Sequence, residues 1–472
     1  MHRFLQLVVV GALAGCAVAC GGDTAGSTQS ASTSTSTGRA AAGSTGSTAA
    51  STTAAGASGS TAASSTTAGS SGSTTASSTT TGSNGSSGST AASSTTGSAS
   101  SSSAGSTSGS TGQTGSCANL PTTSLNGQTV PRLDVGAGQP FAKPADALAC
   151  VPVTPGAAAP FVMNLAAGTY LPFGIFAGHD GFQLTGAGAG QTIIDGQGGC
   201  NSSNNSSGGS CTTRLIYGKG AIYTQSAGTI SDLQVTNAGN NAGGHGDGQA
   251  GIYAEGFTGA GTLTLQRIYV FNNQNGFFVP SGASVQLLVD SCDFVDNGQG
   301  GGGYSHDMYT SGMSTTVQHS NFYGNPFGNN IKSRSPVVSI TGGYNASNAG
   351  RTVNFPEGGQ VTITGGLYTS VAGANSNFAS YADENTNQGV SHVSWSSSAI
   401  IFSRYNSTFL LPNGGSFDFS NISEQFANPS GNAPSVAVSG SGTLNGLPAT
   451  SLPATDSYVA LPNPPAHVSG AP

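Results

Sequence analysis

Charge is what this sequence has least of. Only 6% of its 472 residues are Asp, Glu, Lys or Arg, and 11 basic against 18 acidic residues leave a formal net charge of −7. So thin a basic complement gives no footprint for phosphate, and nucleic acid is not an expected partner. Tryptophan occurs once and cysteine seven times. Between residues 19 and 116 there is no Val, Leu, Ile, Met or aromatic side chain, so no core can form there. Beyond the amino terminus no run is long and apolar enough to cross a bilayer as a helix. What the chain does have is 74 Gly, abundant Ser, Thr and Asn, and many short apolar segments. That mixture argues against a helical protein, and the residues from 117 onward suffice for one large β core.

The first residues read as an export signal. His2 and Arg3 precede an apolar run from Phe4 to Ala14, which is too short to span a membrane comfortably. The run ends in Leu13-Ala14-Gly15-Cys16, which resembles the cleavage box of bacterial lipoproteins, and Ala17-Val18-Ala19-Cys20 is a second version four residues on. The resemblance implies lipidation at Cys16, with Cys20 as the alternative, over a signal and lipidation region of 1–22. It also implies a lipid anchor in the outer membrane and an exported protein facing the cell surface or periplasm. Residues 23–116 carry only two charges, Asp23 and Arg39, in a Ser/Thr/Gly/Ala tract. They are expected to be a disordered linker with a reach of about 55 Å.

Export permits disulfides. Cys117 with Cys150 would pin the entry to the folded unit, and Cys200 with Cys211 would close a floppy Asn/Ser/Gly loop. Cys292, within an apolar segment, is expected as a small buried filler.

From about 160 onward, short segments with period-two alternation alternate with Gly/Asn/Ser turns. Thr262 to Val270, Val285 to Val289 and Val361 to Thr364 are examples, and each is expected as a strand. Asn273, Asn297, Asn325 and Asn348 each close such a unit, at intervals of 24, 28 and 23 residues; the longest holds the insertion Gly298 to Gly303. A recurring unit of that length indicates stacked repeats. The chain resembles right-handed parallel β-helix proteins of the pectin-lyase-like superfold, on Gly168-Thr-Tyr170 and on Phe182 through Gly196. The expected fold is therefore all-β, a single-stranded right-handed parallel β-helix over 160–445. An N-terminal cap at 117–159 and an extended C-terminal tail at 446–472 would flank it.

Aligning the coils by their apolar positions places Ile252, Phe277, Met308, Ile331 and Val353 inward. Alternation then sends Tyr253, Phe278, Tyr309, Lys332 and Asn354 outward in one column, with 377–380 as a further member. Flanking outward columns would hold Asp307 beside Asn330 and Ser311 beside Arg334. Aromatic rings beside cations suit an acidic polysaccharide, because sugars stack on rings and carboxylates pair with Lys and Arg. Lys332, Arg334 and Arg351 fall within twenty residues in a chain where cations are rare.

His306-Asp-Met-Tyr309, Lys332-Ser-Arg334 and Pro356-Glu-Gly-Gly359 resemble a pattern found in bacterial β-helix proteins, and the layout resembles uronate-polymer lyases and epimerases. The resemblance implies a polysaccharide lyase acting by β-elimination; the alternatives are a uronate C5-epimerase and a non-catalytic polysaccharide-binding adhesin. Arg334, with Arg351, would neutralise the carboxylate, Lys332 or His306 would take the C5 proton, Tyr309 would be the acid, and Asp307 would orient the base. Asn330, Phe278 and Tyr253 would line the sugar groove with Arg351 and Asp307. No metal-ligand set is expected and no cofactor is assigned, with calcium left open. Gly244-His-Gly246 resembles a hydrolase motif, but no Asp-Asp pair precedes it, and Asp247 alone is a poor calcium ligand set. A monomer is expected.

Overall fold

The computed structural model describes residues 116–199, 215–239, 248–280, 285–299, 304–370, 377–402, 406–426, 435–447 and 463–471. All of them lie in the second of two units of the chain, Ser103–Pro472. The export signal with Cys16 and Cys20, the linker to 115, the Cys200–Cys211 pair, His245, Asp247 and the insertion at 300–303 lie outside the described residues.

The chain is a parallel β-solenoid. A 10-stranded sheet forms one face, and a 21-stranded sheet wraps the others. Alternation builds each strand: in Thr262–Phe271, Leu263, Leu265, Ile268 and Val270 are wholly buried, while Thr264 and Gln266 face outward. Parallel pairing stacks like positions, giving an inward file of Leu263, Leu287, Thr315, Val338, Val361, Val393 and Phe417. Each fully buried aliphatic or Phe side chain contributes about 1.5–3 kcal/mol. At the carboxy-terminal coils the core becomes aromatic, where Trp395 meets Tyr368, Phe378, Phe417 and Phe419.

A single residue turns the chain between two faces in eight successive coils. Asp232, Arg267, Ser291, His319, Gly342, Gly365, Ser397 and Asn421 all have φ between 50° and 71°. This left-handed conformation costs a non-glycine residue about 1–2 kcal/mol, and the stacked ladder on both sides imposes it. Arg267 reaches back along this corner to Asp232, with Nε 2.6 Å and Nη2 2.7 Å from the two carboxylate oxygens.

Buried amides satisfy another turn. Asn273 donates to Asn297 at 2.9 Å, and Asn297 donates to the Val270 carbonyl at 2.9 Å. Asn325 caps the amides of Phe327 and Gly328. The expected fourth member, Asn348, is half-exposed. Its place is taken by Asn345, which accepts from Asn330 at 2.7 Å. Only two residues separate the two asparagines, and spacing alone cannot tell which one turns inward.

Parallel stacking begins before 160, since Gln128–Val135 pairs with Val162–Leu165. An antiparallel strand Thr122–Leu125 and the helix Pro144–Leu148 accompany it, tied by the Cys117–Cys150 disulfide. Cys292 is buried and free, and burial pushes its thiol up to about 12. The last rung pairs Ser416–Ser420 with Thr443–Asn445. The expected tail is not simply extended, because its end returns to the outer surface. Ser469 N–H donates to Asp293 at 2.7 Å, and the His467 ring lies 4.8 Å from that of Tyr269.

Candidate active site

The outward column forms on the 10-stranded sheet in the expected register. Tyr253 pairs with Phe278, Phe278 with Tyr309, Tyr309 with Lys332, and Lys332 with Asn354. Ser311 lies beside Arg334. One step departs from expectation: Val353 pairs with Ala379 and Asn354 with Ser380, one residue further than the apolar alignment of 377–380 gave. The strand Asn377–Tyr381 is irregular at this point, with a register shift between Asn377 and Ala379 against its other neighbour.

The aromatic members stack on one another. Phe278 and Tyr309 lie 4.7 Å apart at 16°, and Tyr253 and Phe278 5.4 Å apart at 31°. Tyr253 also stacks on Tyr223 at 6.1 Å and is only 5% exposed. Side chains rising from adjacent strands about 4.8 Å apart meet face to face. The ring faces that Tyr253 and Phe278 were expected to offer to sugars are therefore taken by neighbours. The far face of Tyr309 is covered by cations, with Arg334 5.4 Å and Lys332 5.9 Å from its centroid.

Beyond the rings lies a charge-balanced cluster. Lys332 Nζ is 2.6 Å from Glu384 Oε1, and Arg334 Nη2 binds Glu384 Oε2. Arg334 Nε lies 3.6 Å from Glu357, and Arg351 Nη1 lies 3.0 Å from Asp383. Arg334 Nη1 donates to the Tyr309 hydroxyl at 2.5 Å. Below the cluster, both amide atoms of Asn354 and the Ser380 hydroxyl are buried without a hydrogen-bond partner.

Environment separates the two adjacent acids. Burial pushes the Asp383 carboxyl above its ordinary value despite Arg351. Burial also acts upward on Glu384, but hydrogen bonds and charge from Lys332 and Arg334 outweigh it and hold that carboxyl low. Burial raises the Tyr309 phenol, with Arg334 opposing, so the ring keeps its proton.

Two expected site residues fall elsewhere, and His306 lies at the site but buried, its ring stacked 5.8 Å from that of Tyr309. Asp307 and Asn330 do not line an outward groove; both are wholly buried. Asn330 belongs to the amide ladder, donating to Asn345 and to the Phe322 carbonyl. Asp307 accepts from Asn297 at 3.3 Å, its second oxygen has no partner, and it orients neither His306 nor Lys332. Alternation fails here because each residue sits at the turn entering its strand. His306 is 2% exposed, and its Nδ1 accepts from the Asn329 amide at 3.1 Å. Burial first, and then the charges of Lys332, Arg334 and Arg351, hold the imidazole neutral. The close passage beside it requires glycine at 328, where a Cβ would lie 1.5 Å from the Ser305 carbonyl oxygen.

Sequence reasoning missed Asp383 and Glu384. Their signal was available, since they are the sole adjacent pair of acidic residues in the chain. It also missed Lys219 and Glu255, an ion pair at the other end of the aromatic ladder. Among the described residues no group of three or more His, Cys, Asp or Glu could hold a metal.

No protein-family model and no curated protein matches the chain. Solved structures similar to it include a pectin methylesterase mutant in complex with a hexasaccharide, at 13% identity and TM-score 0.35, covering 59% of this chain and 80% of that one. The deglycosylated pectin methylesterase of Aspergillus niger follows at 12% identity and TM-score 0.32, covering 75% of this chain and 96% of that one. The A-module of a mannuronan C-5 epimerase from Azotobacter vinelandii is 15% identical with TM-score 0.32, covering 60% of this chain and 91% of that one. These likenesses concern architecture and carry no statement about chemistry.

Proposed function

We propose that this chain is a carbohydrate-active β-solenoid protein that binds a uronic-acid polymer at the Lys332–Arg334 cluster and cleaves it by β-elimination. One observation carries the reading: Lys332 and Arg334 converge on the two oxygens of a single carboxylate, Glu384. A uronate displacing Glu384 would meet the same two cations, with Arg351 alongside, and the enolate-like charge would develop against them.

For turnover the carboxylate is held by Arg334 and Arg351, and Lys332 acts as the uncharged amine that takes the proton from C5. The electron pair closes a C4–C5 double bond as the C4–O4 bond breaks, and the Tyr309 phenol protonates the departing oxygen. His306 leaves this scheme, because an Nδ1 that accepts a hydrogen bond puts the ring proton on Nε2, and the ring is buried. An epimerase would use the same groups but return a proton to the opposite face of C5. A second reading, polysaccharide binding without turnover, draws on the pairing of all three cations with acids. On the same proposal the protein is exported and held at a bacterial outer membrane through lipid on Cys16 or Cys20.

The test is incubation of the full chain with a panel of 4-linked uronate polymers. Ultraviolet-absorbing ends with chain shortening support elimination, whereas inverted C5 without shortening supports epimerisation. Retention with neither product leaves the binding reading. Under elimination, Lys332→Met lowers turnover by about 100-fold or more, and full turnover in that variant removes the assignment.

A further inference from the structure

The far end of the aromatic ladder carries a second constellation. Tyr217 is 68% exposed and Phe176 42% exposed, although both are large aromatic residues. Tyr217 stands at the tip of a tight turn closed by Ile216 and Gly220, with φ at 53°. A bulky side chain in that conformation is a genuine outlier and costs about 1–3 kcal/mol. Core burial cannot be the return for that strain, since the ring projects into solvent. Its edge-to-face neighbours are Tyr223 at 5.1 Å and Phe176 at 5.8 Å. Unlike the stacked rings further along, this ring has no face-to-face partner among the described residues.

Beside it sit a carboxylate and an ammonium. Lys219 pairs with Glu255, the Tyr223 hydroxyl donates to Glu255 at 2.9 Å, and Lys219 Nζ lies 5.1 Å from the Tyr253 ring centroid. An exposed ring flanked by a hydrogen-bond acceptor and a donor, with charges that cancel, suits an uncharged pyranose face and its hydroxyls. Four strand pairings separate Tyr223 from Lys332. At about 4.8 Å each, the two centres lie roughly 19 Å apart along the axis.

We infer that Tyr217, Phe176, Glu255 and Lys219 form a distal sugar-binding subsite, taking by its ring face the polymer that Lys332 and Arg334 take by its carboxylate. This inference rests on the uronate-polymer reading above. It makes the protein selective for chain length, because a short oligomer cannot reach both centres.

The experiment is calorimetric titration of the full chain with dimers and hexamers of 4-linked galacturonate and of 4-linked mannuronate. Tyr217→Ala should weaken hexamer affinity by about tenfold and leave dimer affinity unchanged, while Tyr217→Phe keeps both. Lys332→Met should weaken dimer and hexamer alike. Hexamer binding that survives Tyr217→Ala but falls with Lys332→Met overturns the distal subsite and leaves the uronate reading standing. Failure of the wild-type chain to bind any hexamer overturns both.

Discussion

Arg334 joins the aromatic and ionic halves of the site by donating to the phenolic oxygen of Tyr309 at 2.5 Å while its other terminal nitrogen holds Glu384. The tyrosine ring is thereby fixed between Phe278 on one face and a guanidinium on the other. A phenol held this way is oriented before any ligand arrives, which lowers the entropy cost of using it. The same guanidinium cannot take a ligand carboxylate without releasing Glu384, so the acid controls access.

The first prediction concerns that control. Glu384→Gln should raise affinity for uronate oligomers about three- to tenfold, because a charged competitor becomes neutral. In the wild-type chain the Glu384 carboxyl is held below its ordinary value of 4.5. What its ion pairs contribute to folding is therefore fully present above that value and lost as pH falls through the lowered one. Because the ligand's own carboxylates titrate alike against both proteins, oligomer affinity of the wild type relative to Glu384→Gln should rise over the same acidic window. Titration at a series of pH values checks both, and identical profiles in the two proteins would contradict the competition.

A second prediction follows from Asp307. Burial, opposed by the Asn297 hydrogen bond, raises this carboxyl well above 3.8. The folded state binds the proton more tightly than the unfolded one, so stability is highest below the ordinary value and falls as pH rises from there. Asp307→Asn keeps the shape and removes the ionisation. It should raise the melting temperature by about 3 °C at about pH 8 and change it little at about pH 4. A variant equally stabilised at both values would place the effect outside ionisation.

The third prediction tests the returning carboxy terminus. Asp293 is wholly buried and accepts from Asn321 Nδ2 at 2.8 Å and from Ser469 N–H at 2.7 Å. Deleting 463–472 removes one donor from a buried carboxylate and should cost about 1–3 kcal/mol. Ser469→Pro, which lacks the N–H, should reproduce most of that loss in thermal denaturation. Unchanged melting in both would mean that the terminus contributes nothing to the fold.

The solenoid and the register of its outward column were legible in the sequence because both follow from period-two alternation summed over many coils. Lys332 beside Tyr309 is a consequence of aligning Ile331 with Met308. Asp307 and Asn330 were not legible in this way, because alternation holds within a strand and stops at the turn where they sit. Glu384, which neutralises Lys332 and Arg334, lies about fifty residues further along, two coils up, where no local pattern links it to Lys332. Asn345 rather than Asn348 entering the amide ladder is of the same kind, a choice made by turn geometry below the resolution of spacing.

The uniform rise of the solenoid turns coil number into a ruler. Each added winding between Tyr253 and Phe278 would move the Lys219–Glu255 pair about 4.8 Å further from Lys332 while leaving both centres internally unchanged. Duplication or loss of one winding would thus retune the preferred ligand length in discrete steps, without a single substitution at either end.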